Sequence, residues 1–201
     1  MAGDERHCRF AGDAVELLDR PAYEDGVRIT GDAELAAVRL LAPVLPGKIV
    51  AVGFNYRAHA AELGTTGQAE PVLFLKPPTA IIGPGQTIVR PARSSRVDYE
   101  AELAVVVGRR CKDVSPAEAG AFAAGYTCGN DVTARDLQKL DGQWTRAKSF
   151  DTFCPLGPWI VAEAPSPEAR VSAAIDGAEV QHGLVGDMIV SPLELLAFVS
   201  G

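Results

Sequence analysis

The chain has 201 residues, 47% of them hydrophobic and 22% charged, and a net charge of −7. This is the make-up of a folded globular protein with a substantial core, one domain or one domain with a small appendage, and not of a disordered chain. No dense Lys/Arg stripe marks a nucleic-acid surface, and an acidic protein that takes an acidic substrate needs a local cation to hold it.

In chain order, residues 9–19 (RFAGDAVELLD) read as paired strands. Residues 32–42 (DAELAAVRLLA) have the spacing of an amphipathic helix, with Asp32 as N-cap and Pro43 as its stop. Pro43 to Gly47 follows as a linker, and a boundary near residue 46 leaves 1–46 as a small N-terminal appendage, too small for its own core, and 47–201 as the main domain. KIVAVG reads as a buried strand, Asn55 to Leu63 as a short helix, and VLFLK and AIIG as further strands. The run from Glu102 to Val107 is a strand as well. Ser115-Pro-Ala-Glu118 is a capping box with proline at the first helical position, and opens a helix near 116–124. YTCGNDVTARDLQ runs from a strand into a helical turn, PWIVAE and RVSAAIDG read as strands, and Ser191-Pro-Leu-Glu194 is a second capping box opening a last helix. Many short strands with a few short helices predict a mainly β (α+β) fold.

Cys8, Cys111, Cys128 and Cys154 are irregularly spaced with no C-x-x-C, which is neither a zinc signature nor a disulfide framework. Reduced thiols in a cytoplasmic protein are expected. The start, MAGDERHCRF, has no apolar core of a secretory signal. No run approaches the roughly 18 apolar residues of a membrane span.

In DYEAELAVVVG, Glu100 and Glu102 stand two apart at the head of an apolar run, so on a strand they share a face about 7 Å apart at Cα. Like charges placed so repel. Either both face water while Tyr99, Ala101 and Leu103 face in, or a hard cation lies between them. Asp131, at a strand-to-helix junction, is either an N-cap for the following turn or a third carboxylate for that cation. His59 and Glu62 share a helix face at i and i+3, as a general base and its orienting carboxylate do, and as ordinary surface pairs do more often. Of the other histidines, His7 lies near the terminus and His182 in an expected loop. Lys76, at the rim of a buried strand, and Lys148, in a turn-rich stretch, are candidate partners for a substrate carboxylate or a developing enolate.

Six stretches in uninterrupted order, VGFNYRAHAAELG, FLKPPTAIIGPG, VDYEAELAVVVGRRCKDVSPAEA, GYTCGNDVTARDLQ, QWTRAKSFDTFCPLGPWI and VQHGLVGDMI, resemble the fumarylacetoacetate hydrolase family over residues 48 to about 200. The resemblance is closest to its acylpyruvate hydrolase and 2-hydroxyhepta-2,4-diene-1,7-dioate isomerase branch. It implies a mixed β-roll of the family's C-terminal-domain type, a homodimer, and Mg2+ or Mn2+ (Ca2+ as a further option) on Glu100, Glu102 and Asp131. It implies His59 and Glu62 as the water-activating pair, Lys148 as the catalytic lysine, Gln138 at a substrate-pocket position and Arg135 with Asp136 as a supporting pair; Gln138 and Arg135, with Lys76 from its place at the strand rim, are the expected substrate-binding residues.

The implied substrate is a 2-oxo or 2,4-dioxo acid, and the implied chemistry runs through a metal-bound enolate. Hydrolysis of the C–C bond of an acylpyruvate in aromatic or organic-acid catabolism is the leading expectation. Isomerisation or decarboxylation of 2-hydroxy-dienoic diacids uses the same chemistry. The family's Thr-Gly-Thr-Pro segment and closing strands have no counterpart before Gly201, so a C-terminally incomplete domain is expected. A non-catalytic partner that binds metal or oxo-acid is the alternative of another class. No nucleic-acid or membrane partner is expected.

Overall fold

A computed structural model describes residues 5–57 and 70–201. Its contacts divide the chain into two compact units, Met1–Leu40 and Leu41–Gly201. The first unit is a three-stranded antiparallel sheet in the order β1-β2-β3. Its strands are β1 (His7–Ala11), β2 (Ala14–Leu18) and β3 (Ile29–Glu34). Val15 and Leu18 on β2 are its buried apolar residues.

The helix expected over 32–42 does not form. Asp32 lies in β3 opposite Glu16, and only a 3-10 turn, Leu35–Ala37, follows. The helical spacing loses to β2, whose second edge would otherwise be left without hydrogen-bond partners. An isolated eleven-residue helix is about the marginal length in water, so little opposes the exchange.

The second unit is strand-rich with short helices. β4 (Ile49–Gly53) pairs antiparallel with β5 (Val72–Lys76), and β7 (Val97–Asp98) pairs with β10 (Thr133–Ala134). The largest sheet has the order β6-β11-β9-β8, from β6 (Ile81–Ile82), β8 (Ala101–Val107), β9 (Ala123–Asn130) and β11 (Cys154–Val161). β12 (Arg170–Ile175) and β13 (Ala178–Leu184) form a hairpin. His182 therefore lies in a strand and not in a loop: it stands opposite Ser172 of the strand expected over RVSAAIDG, a pairing that the polar composition of β13 did not announce.

Both capping boxes form, at α1 (Pro116–Ala119) and α4 (Pro192–Ser200). α1 is shorter than the expected 116–124. It passes into a 3-10 turn, Gly120–Phe122, because Ala123 is already paired with Val107 in the sheet. Gly125 in β9 has φ +148°, and a Cβ there would lie 2.4 Å from the Val161 carbonyl, so only glycine fits that rung.

Two helices complete the site region, α2 (Arg135–Asp141) and α3 (Thr145–Lys148). Val132, Ala134, Leu137, Ala147 and Phe153 form a buried cluster under them. No helix among the described residues is long and apolar enough to cross a membrane.

Candidate functional site

The site is assembled by three local devices. First, β7 and β10 pair Asp98 with Thr133 and Val97 with Ala134, which puts the Asp98 carboxylate beside Arg135. Second, the end of β9 is stitched to the start of β8. The Asp131 N–H donates to the Glu100 carbonyl at 2.8 Å, and the Glu100 N–H donates to Asn130 Oδ1 at 2.9 Å. Third, Trp144 packs edge-on against Phe54 and Phe74, with ring centroids 5.5 and 5.3 Å away, and anchors α3 over β5. A side chain at residue 53 would collide with it, since a Cβ there would lie 2.7 Å from the Trp144 ring, which accounts for the glycine in AVGFN.

These devices gather Lys76, Glu100, Glu102, Asp131, Arg135, Gln138 and Lys148. Lys76 and Lys148 are only 3% and 2% exposed. Lys148 Nζ bridges two of the carboxylates, donating to Glu100 Oε2 at 2.7 Å and to Asp131 Oδ2 at 2.5 Å. It also stands 4.9 Å from the Phe74 ring centroid, a cation–π contact. Lys76 Nζ donates to Asp131 Oδ1 at 2.6 Å, to the Lys148 carbonyl at 2.6 Å and to the Val132 carbonyl at 3.3 Å. An ammonium has three N–H donors, so these acceptors use them all. Lys76 is thus placed as a brace between Asp131 and α3, with no donor left over for a substrate.

Arg135 spreads its guanidinium over three acceptors: Asp98 Oδ2 at 3.0 Å, Gln138 Oε1 at 2.7 Å and Glu100 Oε1 at 2.5 Å. The neighbouring Asp136 turns away and accepts from Ser94 Oγ, Ser95 Oγ and the Ser95 N–H, a structural staple. The Gln138 amide N–H groups donate to no described residue. Asp131 does not cap α2, whose N-cap is Ala134. The arrangement with Tyr99 facing in also fails, since Tyr99 is exposed while Ala101 is buried.

Lys76, Lys148 and Arg135 contact Asp98, Glu100 and Asp131, and none of them bonds to Glu102. The electrostatics follow. Burial raises the Glu100 carboxyl, but Lys148 and Arg135 together outweigh it and the net direction is down. Burial pushes Glu102 up to about 8, and the neighbouring Asp131 and Glu100 charges add to it. Asp131 is also raised, burial outweighing Lys148 and Lys76. Burial lowers Lys76 against the pull of Asp131. Glu102 is the acid for which these residues supply no cation in contact.

The donor set fits a hard divalent ion in type. It is all carboxylate oxygen, without the His or Cys that zinc favours. Each oxygen of Glu100 and Asp131 accepts one hydrogen bond from a described side chain and keeps a second lone pair, and Glu102 accepts none from a described side chain. As they stand, no three His, Cys, Asp or Glu side chains among the described residues are grouped so that they could hold a metal ion, and Lys148 lies bonded between two of the three carboxylates. His59 and Glu62 lie outside the described residues.

Gln181, which the sequence did not single out, bonds both backbone groups of Ala101, the residue between the two glutamates. It lies in VQHGLVGDMI, one of the six stretches that carry the resemblance, but nothing local in the sequence sets it apart there.

A model of the fumarylacetoacetate (FAA) hydrolase C-terminal domain matches residues 48–201. Protein Rv2993c of Mycobacterium tuberculosis is 55% identical over 158 residues, which is 77% of this chain and 60% of that protein. The solved 5-carboxymethyl-2-hydroxymuconate delta-isomerase from Mycobacterium smegmatis superposes with a TM-score of 0.86 at 42% identity, over 97% of this chain and 76% of that one. The solved fumarylacetoacetate hydrolase from Exiguobacterium antarcticum gives a TM-score of 0.75 at 40% identity, over 84% of this chain and 63% of that one. The chain thus spans less than two thirds of two of these relatives. The matched stretch holds every side chain of the site, and the chain belongs to the fumarylacetoacetate hydrolase family.

Proposed function

We propose that the chain is the catalytic-domain part of a divalent-metal-dependent enzyme that cleaves a C–C bond in an acylpyruvate-type 2,4-dioxo acid. The observation that carries this is the Glu102 carboxyl, held next to Glu100 and Asp131 with no cation of its own among the described residues. Mg2+ or Mn2+ on Glu100, Glu102 and Asp131 would supply Lewis acidity toward a 2-oxo carboxylate.

The chain's own residues supply the rest. Lys148 has two N–H groups on carboxylates and a third to offer a substrate oxygen, and the Gln138 amide can donate beside it. Arg135 fixes Gln138 and Glu100 in one plane of hydrogen bonds. In the proposed reaction His59, oriented by Glu62, takes a proton from water, and the oxygen adds to the distal carbonyl. The bond to the middle carbon breaks. Its electron pair passes to the 2-oxo oxygen as an enolate near Lys148, which a proton then converts to pyruvate, leaving the other fragment as a carboxylate.

A second proposal uses the same stabilised enolate and its reprotonation, without the addition of water or the C–C cleavage. The relative described as a delta-isomerase favours double-bond migration in a 2-hydroxy-dienoic diacid. The test is turnover of a short acylpyruvate, followed by loss of its enol absorbance and by assay of free pyruvate, with Mg2+ and with chelator. Metal-dependent loss with pyruvate release, abolished in Glu100→Ala, is the expected result. Enol loss that Glu100→Ala leaves intact overturns the site. Turnover of a hydroxy-dienoic diacid with no pyruvate from the acylpyruvate selects the isomerase.

A further inference from the structure

We infer that Gln181 is a positioning residue for the Glu100 and Glu102 pair, its carboxamide replacing a neighbouring strand. Among the described residues β8 is the edge of its sheet, paired with β9 on one side only. On such a strand, alternate residues turn their N–H and C=O away from the partner. At the head of β8 the Glu100 backbone bonds inward, its N–H to Asn130 Oδ1 and its carbonyl to the Asp131 N–H. Ala101 bonds the other way. Its N–H donates to Gln181 Oε1 at 2.8 Å, and its carbonyl accepts from Gln181 Nε2 at 3.2 Å.

One side chain thus supplies the full rung that a further strand would give, at the buried residue between the two glutamates. The stretch is held from both sides, and the backbone that carries the two glutamates cannot shift without breaking one of these hydrogen bonds. The hairpin carrying Gln181 is tied down again by Tyr99, whose hydroxyl donates to the Val180 carbonyl at 3.3 Å. The chain uses the same device elsewhere: the Asn55 carboxamide donates to the Val190 carbonyl at 2.9 Å and accepts from its N–H at 3.0 Å.

The positioning role rests on the proposal that Glu100 and Glu102 hold a divalent cation; the rung itself does not. The experiment is therefore double, on the full chain. Hydrogen exchange of the Ala101 amide is compared in the wild type, Gln181→Met, and Gln181→Glu, which keeps an acceptor for the N–H and loses the donor to the carbonyl. Mn2+ affinity of the three is measured by electron paramagnetic resonance.

Gln181→Met is expected to speed exchange at Ala101 by at least about tenfold, with β9 and β11 amides unchanged, and to weaken Mn2+ about 10–100-fold, the range for residues that orient ligands. Gln181→Glu falls between. Unchanged Ala101 exchange in Gln181→Met overturns the rung. Faster exchange with unchanged Mn2+ affinity overturns the positioning role and leaves a purely structural one. A wild type that binds no Mn2+ overturns the cation site and the positioning role together, and the exchange arm then shows whether the rung stands alone.

Discussion

Lys76→Met removes the ammonium and keeps most of the apolar stem. Three acceptors lose their donor at once: Asp131 Oδ1 and the carbonyls of Lys148 and Val132. Lys76 is 3% exposed and Asp131 8%, so water does not replace the lost bonds. Breaking a buried ion pair from one side costs about 3–5 kcal/mol. Lys148 still holds Asp131 Oδ2, which places the loss near the lower end, about 3 kcal/mol. With a urea m-value of about 2 kcal/mol/M, the unfolding midpoint falls by about 1.5 M. Lys48→Met, at an exposed position, moves stability by less than about 0.5 kcal/mol. Asp131→Asn in the Lys76→Met background recovers part of the loss, because the uncompensated charge is gone; a coupling of about 1–3 kcal/mol is expected. A Lys76→Met loss below about 1 kcal/mol, no different from Lys48→Met, would refute the bracing role.

Burial raises Glu102 to about 8 from the ordinary glutamate value of 4.5, so between those values the folded chain holds a proton that the unfolded chain has released. Stability without added metal then falls as pH rises through that window. Glu102→Gln flattens the fall by up to about 1.4 kcal/mol per pH unit, read from urea midpoints at pH 5 to 8. Asp131, raised in the same direction, leaves a residual slope of the same sign. Arg135→Lys keeps the charge but cannot span Asp98, Gln138 and Glu100 together; it costs about 2 kcal/mol, measured by urea unfolding.

Strands whose apolar runs are bounded by turn residues were legible: IVAVG, VLFLK and the Ala101–Val107 run carry their own signal. So do the Ser-Pro-x-Glu boxes at 115 and 191, because capping chemistry is local. Residues 32–42 misled because their spacing is helical while their fate is set by the open edge of β2. The β13 strand was illegible because most of its side chains are exposed and its pairing partner, not its composition, makes it a strand.

In the site, the acidic residues could be picked out because like charges in a strand demand an explanation. Their actual neighbours could not. Lys76 reaches Asp131 across 55 residues, and Gln181 reaches Ala101 across 80, contacts that only the fold creates. The same distances explain why Lys76 reads as a substrate ligand in the sequence and stands as a brace in the structure.

The central claim is that Glu100, Glu102 and Asp131 together hold one divalent cation, and Mn2+ titration monitored by electron paramagnetic resonance tests it most directly. The account predicts one bound Mn2+ per chain, displaced by Mg2+, with affinity reduced at least about tenfold in Glu102→Gln and in Asp131→Asn. A wild type that leaves all Mn2+ free, or variants that bind it as tightly as the wild type, would contradict the claim.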